Sequence, residues 1–177
     1  MRVWSVGLFG AVALTVFGGC ADMEGIGSTT GPGVGKSTPA QGYNIHVVAP
    51  HKFEDGTVHG PYHHYCKAIS PDIIQCLLFG STDPNALLTG IEYYVAKSLS
   101  RASVSLEAWN KFYHDHDVEI ATGRVQVLDM PEEQAREVMA LAAGTDGIIF
   151  HLWPEGARVP DGRVGIPQSV GHKVRRE

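Results

Sequence analysis

Hydrophobic and polar positions divide the chain into three regimes. From Val3 to Gly19 the residues are mostly apolar and carry no charge. From Ala21 to Gly42, Gly, Ser, Thr and Pro dominate and almost nothing could enter a core. From Tyr43 onward, apolar and polar residues alternate in short blocks separated by turn residues. Alternation of period two predicts strands, and apolar residues three and four apart predict helices. Tyr43–Ala49 reads as a strand. Tyr62–Ile69 and Ile73–Phe79, parted by Ser70-Pro71-Asp72, read as a hairpin. A third strand centres on Ile91–Val95 within the run Ala86–Leu99, so a three-stranded meander is expected. Leu106, Trp109 and Tyr113 share one face of a helix over Ser105–Tyr113. Val118–Leu128 returns to strand character. Pro131, Glu132 and Glu133 open a second helix that Gly144 ends, with Ala135, Val138, Met139 and Ala142 as its apolar face. Gly147–Trp153 reads as a last buried strand, and the remainder is rich in Pro and Gly. The expected fold is α+β: an antiparallel sheet of about five strands with two helices packed on one side.

Composition agrees with one folded domain. The chain has 177 residues, 44% hydrophobic and 19% charged, with net charge −5. An acidic chain with no basic face argues against a nucleic-acid partner. The apolar run is short for a helix spanning a bilayer core about 30 Å thick. A positive start, an apolar stretch and small residues before Cys20 resemble a bacterial lipoprotein signal instead. The expected organisation is therefore a signal peptide over 1–19, a lipidated Cys20 with a flexible linker over 20–42, and one domain over 43–177. Ala21, rather than Asp, follows Cys20. That resembles the signal for the outer membrane, facing the periplasm. The body is acidic, so attachment would rest on the acyl chains, several of which hold firmly where one is marginal. Gly33-Val34-Gly35-Lys36-Ser37-Thr38 imitates a phosphate loop. It lacks the first glycine (position 30 is Thr30) and any buried strand before it, so no nucleotide is expected.

Two groups of residues could carry chemistry. The first is His114-Asp115-His116-Asp117-Val118-Glu119, with His63-His64 as a source of a further ligand. If extended, this stretch points His114 and His116 the same way and Glu119 the other. Two His and a carboxylate can make an open metal site. They can equally form a polar edge, with His bonded to Glu92 or Glu119. The second is Cys66 and Cys76, which stand five residues either side of Pro71 and so face each other in the expected hairpin. They either form a disulfide or sit as two small buried thiols. The chain has no G-x-S-x-G, no C-x-x-C and no paired-carboxylate signature.

Several of these pieces occur together in one family. His64-Tyr65-Cys66, Gln75-Cys76, Gly90-Ile91-Glu92-Tyr93, His114-x-His116-x-x-Glu119-Ile120-x-x-Gly123 and His151-Leu152-Trp153 resemble, in order and spacing, the oil body-associated proteins of plants and their bacterial and fungal relatives. The resemblance covers roughly residues 43–171. Tyr113 departs from it, since plant members carry Trp there, and so does the lipoprotein-like N-terminus. The resemblance implies a domain held at a lipid surface and no established catalytic activity. It also places the family motif on His64, Glu92, His114, His116 and Glu119. The expected function is a lipid-anchored envelope protein, non-enzymatic and needing no cofactor, whose domain binds a protein partner or lipid-like ligand at the membrane. The alternative is a metal-dependent small-molecule enzyme or binder centred on His114 and His116, with His64 as third ligand.

Overall fold

A computed structural model describes residues 38–176. The expected signal peptide, Cys20 and most of the linker lie outside the described residues.

The described chain forms one antiparallel sheet flanked by four helices. The strands are β1 (Ile45–Lys52), β2 (Val58–Ser70), β3 (Ile73–Phe79), β4 (Leu88–Ala96), β5 (Tyr113–Asp115), β6 (Gln126–Leu128), β7 (Thr145–His151) and β8 (Gln168–Ser169). The helices are α1 (Lys97–Ser103), α2 (Leu106–Phe112), α3 (His116–Ile120) and α4 (Glu132–Ala143). Across the sheet the order is β5-β7-β4-β3-β2-β1-β6, with β8 also pairing β1. β8 packs against β5 as well, which draws the two ends of the curled sheet together.

The α+β class with an antiparallel sheet is as the pattern indicates, but the count is not. Eight strands replace about five, and four helices replace two. Strands β5 and β8, which the pattern does not show, are three and two residues long, too short for alternation to appear. Helix α3, of five residues, is too short to display a repeating apolar face, and α1 carries Leu99 as its one large apolar side chain, so neither shows the pattern that marks α2. The stretch Val118–Leu128 is not one strand. Its first part is α3, a turn follows, and only Gln126–Leu128 is extended. Likewise the run Ala86–Leu99 is β4 followed directly by the start of α1.

The central hairpin sets the register. Cys66 lies opposite Cys76, and the two sulfurs are bonded. The same row continues through Glu92 to Ile149. Alternation then decides which neighbours share that inward face. Val47 pairs His64, His64 pairs Leu78, Leu78 pairs Gly90 and Gly90 pairs His151. Ile74 pairs Tyr94, Tyr94 pairs Gly147 and Gly147 pairs His114. The inward face thus mixes aliphatic residues with His, Glu and Tyr. Helices α3 and α4 pack on each other beside it. Cys66, Cys76, Leu78, Tyr94, Ala142 and Ile149 make the apolar core.

Candidate metal centre

Glu92 stands in the middle of β4, 2% exposed. Burying an unpaired carboxylate is costly, so its neighbours decide whether it can ionise. Three imidazoles face it. His64 Nε2 lies 3.2 Å from Oε2, while His114 Nε2 and His116 Nε2 lie 3.2 and 3.3 Å from Oε1. Burial pushes the Glu92 carboxyl up, but His114, His116 and His64 outweigh it and hold the group well below the carboxylate range. Glu119 is also buried, and its Oε2 is 3.8 Å from His114 Nε2. Burial raises its pKa to about 7.

The H-x-H-x-x-E stretch converges because it is not one extended segment. His114 lies in β5 and His116 opens α3. The side chain of Asp115 accepts the backbone N–H of Asp117 at 2.9 Å and caps that helix. Glu119, one helical turn after His116, therefore comes to the same side instead of facing away. Asp115 is itself held by Lys97 Nζ at 2.6 Å and Arg101 Nη2 at 2.8 Å. The same guanidinium reaches Asp146, which also accepts from Ser100 Oγ and Trp109 Nε1. This network, buried at Asp146, Ser100 and Trp109 and half-buried at Lys97, Arg101 and Asp115, fastens α1 and α2 to β7 and fixes where β5 runs.

The second nitrogen of two imidazoles is committed elsewhere. Thr145 Oγ1 donates to the carbonyl oxygen of Ala142 at 2.7 Å, so it must accept from His116 Nδ1–H at 2.8 Å. His64 Nδ1 faces two carbonyl oxygens, Tyr62 at 3.1 Å and Val47 at 3.3 Å, and so donates to them. In neutral His116 and His64 the Nε2 lone pair then points toward a carboxylate. Two electron-rich groups face each other at both places, which demands a proton or a metal ion between them. Outer bonds that fix the tautomer in this way are characteristic of metal-ligating histidine. His114 Nε2, close to Glu92 as it is, meets no hydrogen-bond geometry there.

Glycine makes the room. A Cβ on Gly147, directly across from His114 and Tyr94, would overlap both His114 Nε2 and Glu92 Oε1. A small cavity of about 10 Å³ adjoins the cluster, lined by Val47, Ala49, Ile120, Val127, Val138 and Met139 among others. That volume admits about one water molecule.

His64, Glu92, His114, His116 and Glu119 thus share one buried location. Two more histidines join it that spacing does not reveal. His51 Nε2 is 3.0 Å from His64 Nε2, and His51 Nδ1 is 2.9 Å from His151 Nε2. His51 stands alone between Pro50 and Lys52, past a bulge in β1 that re-aims it. Burial holds both His51 and His151 neutral, the latter with a pKa of about 4. His63 does not belong to the cluster. It points to the other face of β2, where its Nδ1 is 2.9 Å from His46 Nε2 and His46 Nδ1 is 2.6 Å from Asp129.

Comparison with known proteins relates the chain to others. Residues 37–175 match a family described as "Protein of unknown function (DUF1264)". The chain is 28% identical over 145 residues to oil body-associated protein 1B of Arabidopsis thaliana, covering 80% of this chain and 59% of that protein. It is 28% identical over 110 residues to oil body-associated protein 1A of Zea mays, covering 61% and 44%. It is 29% identical over 119 residues to oil body-associated protein 2C of Arabidopsis thaliana, covering 64% and 49%. The chain spans about half the length of these curated relatives. No solved structure matches it.

Proposed function

Because the chain belongs to the family described as protein of unknown function (DUF1264), its activity has to be argued from its site, and we propose that it binds a divalent transition metal at Glu92, His114 and His116. The observation that carries this reading is the convergence of Nε2 atoms on Glu92 while Nδ1 of His116 and of His64 is spent on other acceptors. Two ligands bound to one ion at roughly 2.1 Å stand about 3.0–3.4 Å apart, the edge of an octahedron or tetrahedron. The distances of 3.2 and 3.3 Å match that edge. Imidazole and carboxylate ligands suit zinc, iron(II) or manganese(II). Glu119 is a further carboxylate within reach. The cavity beside the cluster admits about one water, so binding of the ion is proposed rather than turnover of a large substrate.

The test is metal content. Zinc- or cobalt-loaded full chain is expected to retain ion through desalting, measured by plasma mass spectrometry. Gly147→Ala, which places a methyl group on the ligand atoms, is expected to lose at least tenfold in affinity. Gly80→Ala, at a position with open space around it, is expected to load as wild type. Equal loading of all three would overturn the site.

Anchoring forms the second part of the reading, and Cys20 with the linker supports it. The acylated cysteine would hold the domain at the cell envelope, in the outer membrane facing the periplasm, where a protein or lipid-like partner could meet it. Among the described residues no helix is long and apolar enough to cross a membrane. Metabolic labelling with a clickable palmitate should mark the wild type and spare Cys20→Ala. Equal labelling of both would exclude the anchor.

A further inference from the structure

We infer that the centre is built for two metal ions, with Glu92 as the bridging carboxylate between them. This rests on the metal-binding reading and extends it.

The two oxygens of Glu92 face opposite partners. Oε1 meets His114 and His116, with Glu119 on the same side; Oε2 meets His64. Behind His64 stands His51, and one ring nitrogen of each of these histidines and a Glu92 oxygen lie within 4.8 Å of one another. The same holds for Glu92, His114 and His116. Glu92 is common to both groups and uses a different oxygen for the histidine contacts of each. A carboxylate held so is the bridge of a two-metal site, in which ions stand about 3.5–4 Å apart.

The second group satisfies the same requirements as the first. His64 Nδ1 is committed to the carbonyls of Tyr62 and Val47, which leaves Nε2 for a ligand. That atom has two close neighbours, His51 Nε2 at 3.0 Å and Glu92 Oε2 at 3.2 Å. A single proton can serve one of these contacts, whereas an ion can serve all three donor atoms. The spacing again equals the edge of a coordination polyhedron with bonds of roughly 2.1 Å. His51 has the outer support expected of a ligand: its Nδ1 can donate to His151 Nε2 at 2.9 Å. His51, His64, Glu92, His114 and His116 are all buried, so no surface acidic cluster is involved. With these side chains buried, a second ion would replace solvation that the histidines and Glu92 otherwise lack.

The experiment uses the full chain, stripped with a chelator and titrated with cobalt(II). Wild type is expected to saturate at two equivalents, and paired cobalt bridged by a carboxylate should show a spin-coupled, weakened electron paramagnetic resonance signal. His51→Ala is expected to bind one equivalent with an uncoupled signal, and His114→Ala to keep the other. Saturation of wild type at one equivalent, with an uncoupled signal, would overturn the second ion and leave the single-metal reading intact. No cobalt bound by wild type would overturn the metal reading itself. Two equivalents in His51→Ala would remove the assignment to His51 and His64. The wild-type stoichiometry and signal decide the matter even where a variant fails to fold.

Discussion

Glu92→Gln is expected to leave the chain without bound zinc or cobalt and to weaken the metal-free fold by about 3 kcal/mol at pH 5.5. The loss of metal follows from removing the one anion that three imidazoles face. The stability change follows from linkage. Burial alone would raise the Glu92 carboxyl above its ordinary 4.5, but the three imidazoles hold it well below. Its stabilising contribution is therefore present above about pH 4.5 and lost as pH falls through the folded value. His64 is the converse. Burial would lower it, yet Glu92 raises it above 6.5, so its contribution is present below that pH and lost as pH rises through the folded value. Both conditions hold between about 4.5 and 6.5, so the gap between wild type and Glu92→Gln should be widest there. Urea unfolding with chelator at pH 5.5 and pH 8 measures it. A gap of the same size at both pH values, or a variant that still loads metal, would show that Glu92 is not the hub.

Glu119→Gln is expected to do the opposite without metal: it should stabilise the fold. Burial raises Glu119 to about 7 against an ordinary 4.5, so between these values the folded state holds a proton that the unfolded state has released. Wild-type stability from this group thus falls as pH rises through that window, and the cost is complete above about pH 7. A neutral amide avoids it. The variant should match wild type below pH 4.5 and exceed it by on the order of 3 kcal/mol above pH 7, in the metal-free state. A bound cation changes the sign, because it favours the ionised carboxylate that the amide cannot supply. With zinc present, Glu119→Gln should bind less tightly than wild type at pH 7.5. Unfolding curves in chelator and in zinc, at pH 5 and 8, separate the two effects. Parallel wild-type and variant profiles in chelator would mean that burial does not keep Glu119 protonated.

Much of the fold is visible locally. The hairpin around Pro71 follows from two β-rich runs and a turn, and it places Cys66 opposite Cys76. Helix α4 is marked by Pro131 at its start, acidic residues in its first turn and Gly144 at its end. The junction at Ala96 is hidden, because α1 begins there with no side-chain cap. The break at Asp115 is also hidden. A β-rich stretch follows it, yet the Asp115 cap and the α3–α4 packing make that stretch helical first. Propensity is a weak prior that tertiary contact overrides.

The site shows the same division. Sequence alone determined which chemistry was available: imidazoles, two carboxylates and a pair of cysteines, on runs whose alternation assigns each side chain to one face or the other. It also singled out His64, Glu92, His114, His116 and Glu119. It could not determine that they meet, nor that His51 joins them. Those residues come from β1, β2, β4, β5 and α3, far apart along the chain. Only strand order brings them together, and strand order is settled by long-range pairing, of which a local period of two carries no trace. The tertiary structure decided one thing more. By turning the chain from strand into helix at His116, it rotated Glu119 from the far face to the near one, and so closed the cluster around Glu92.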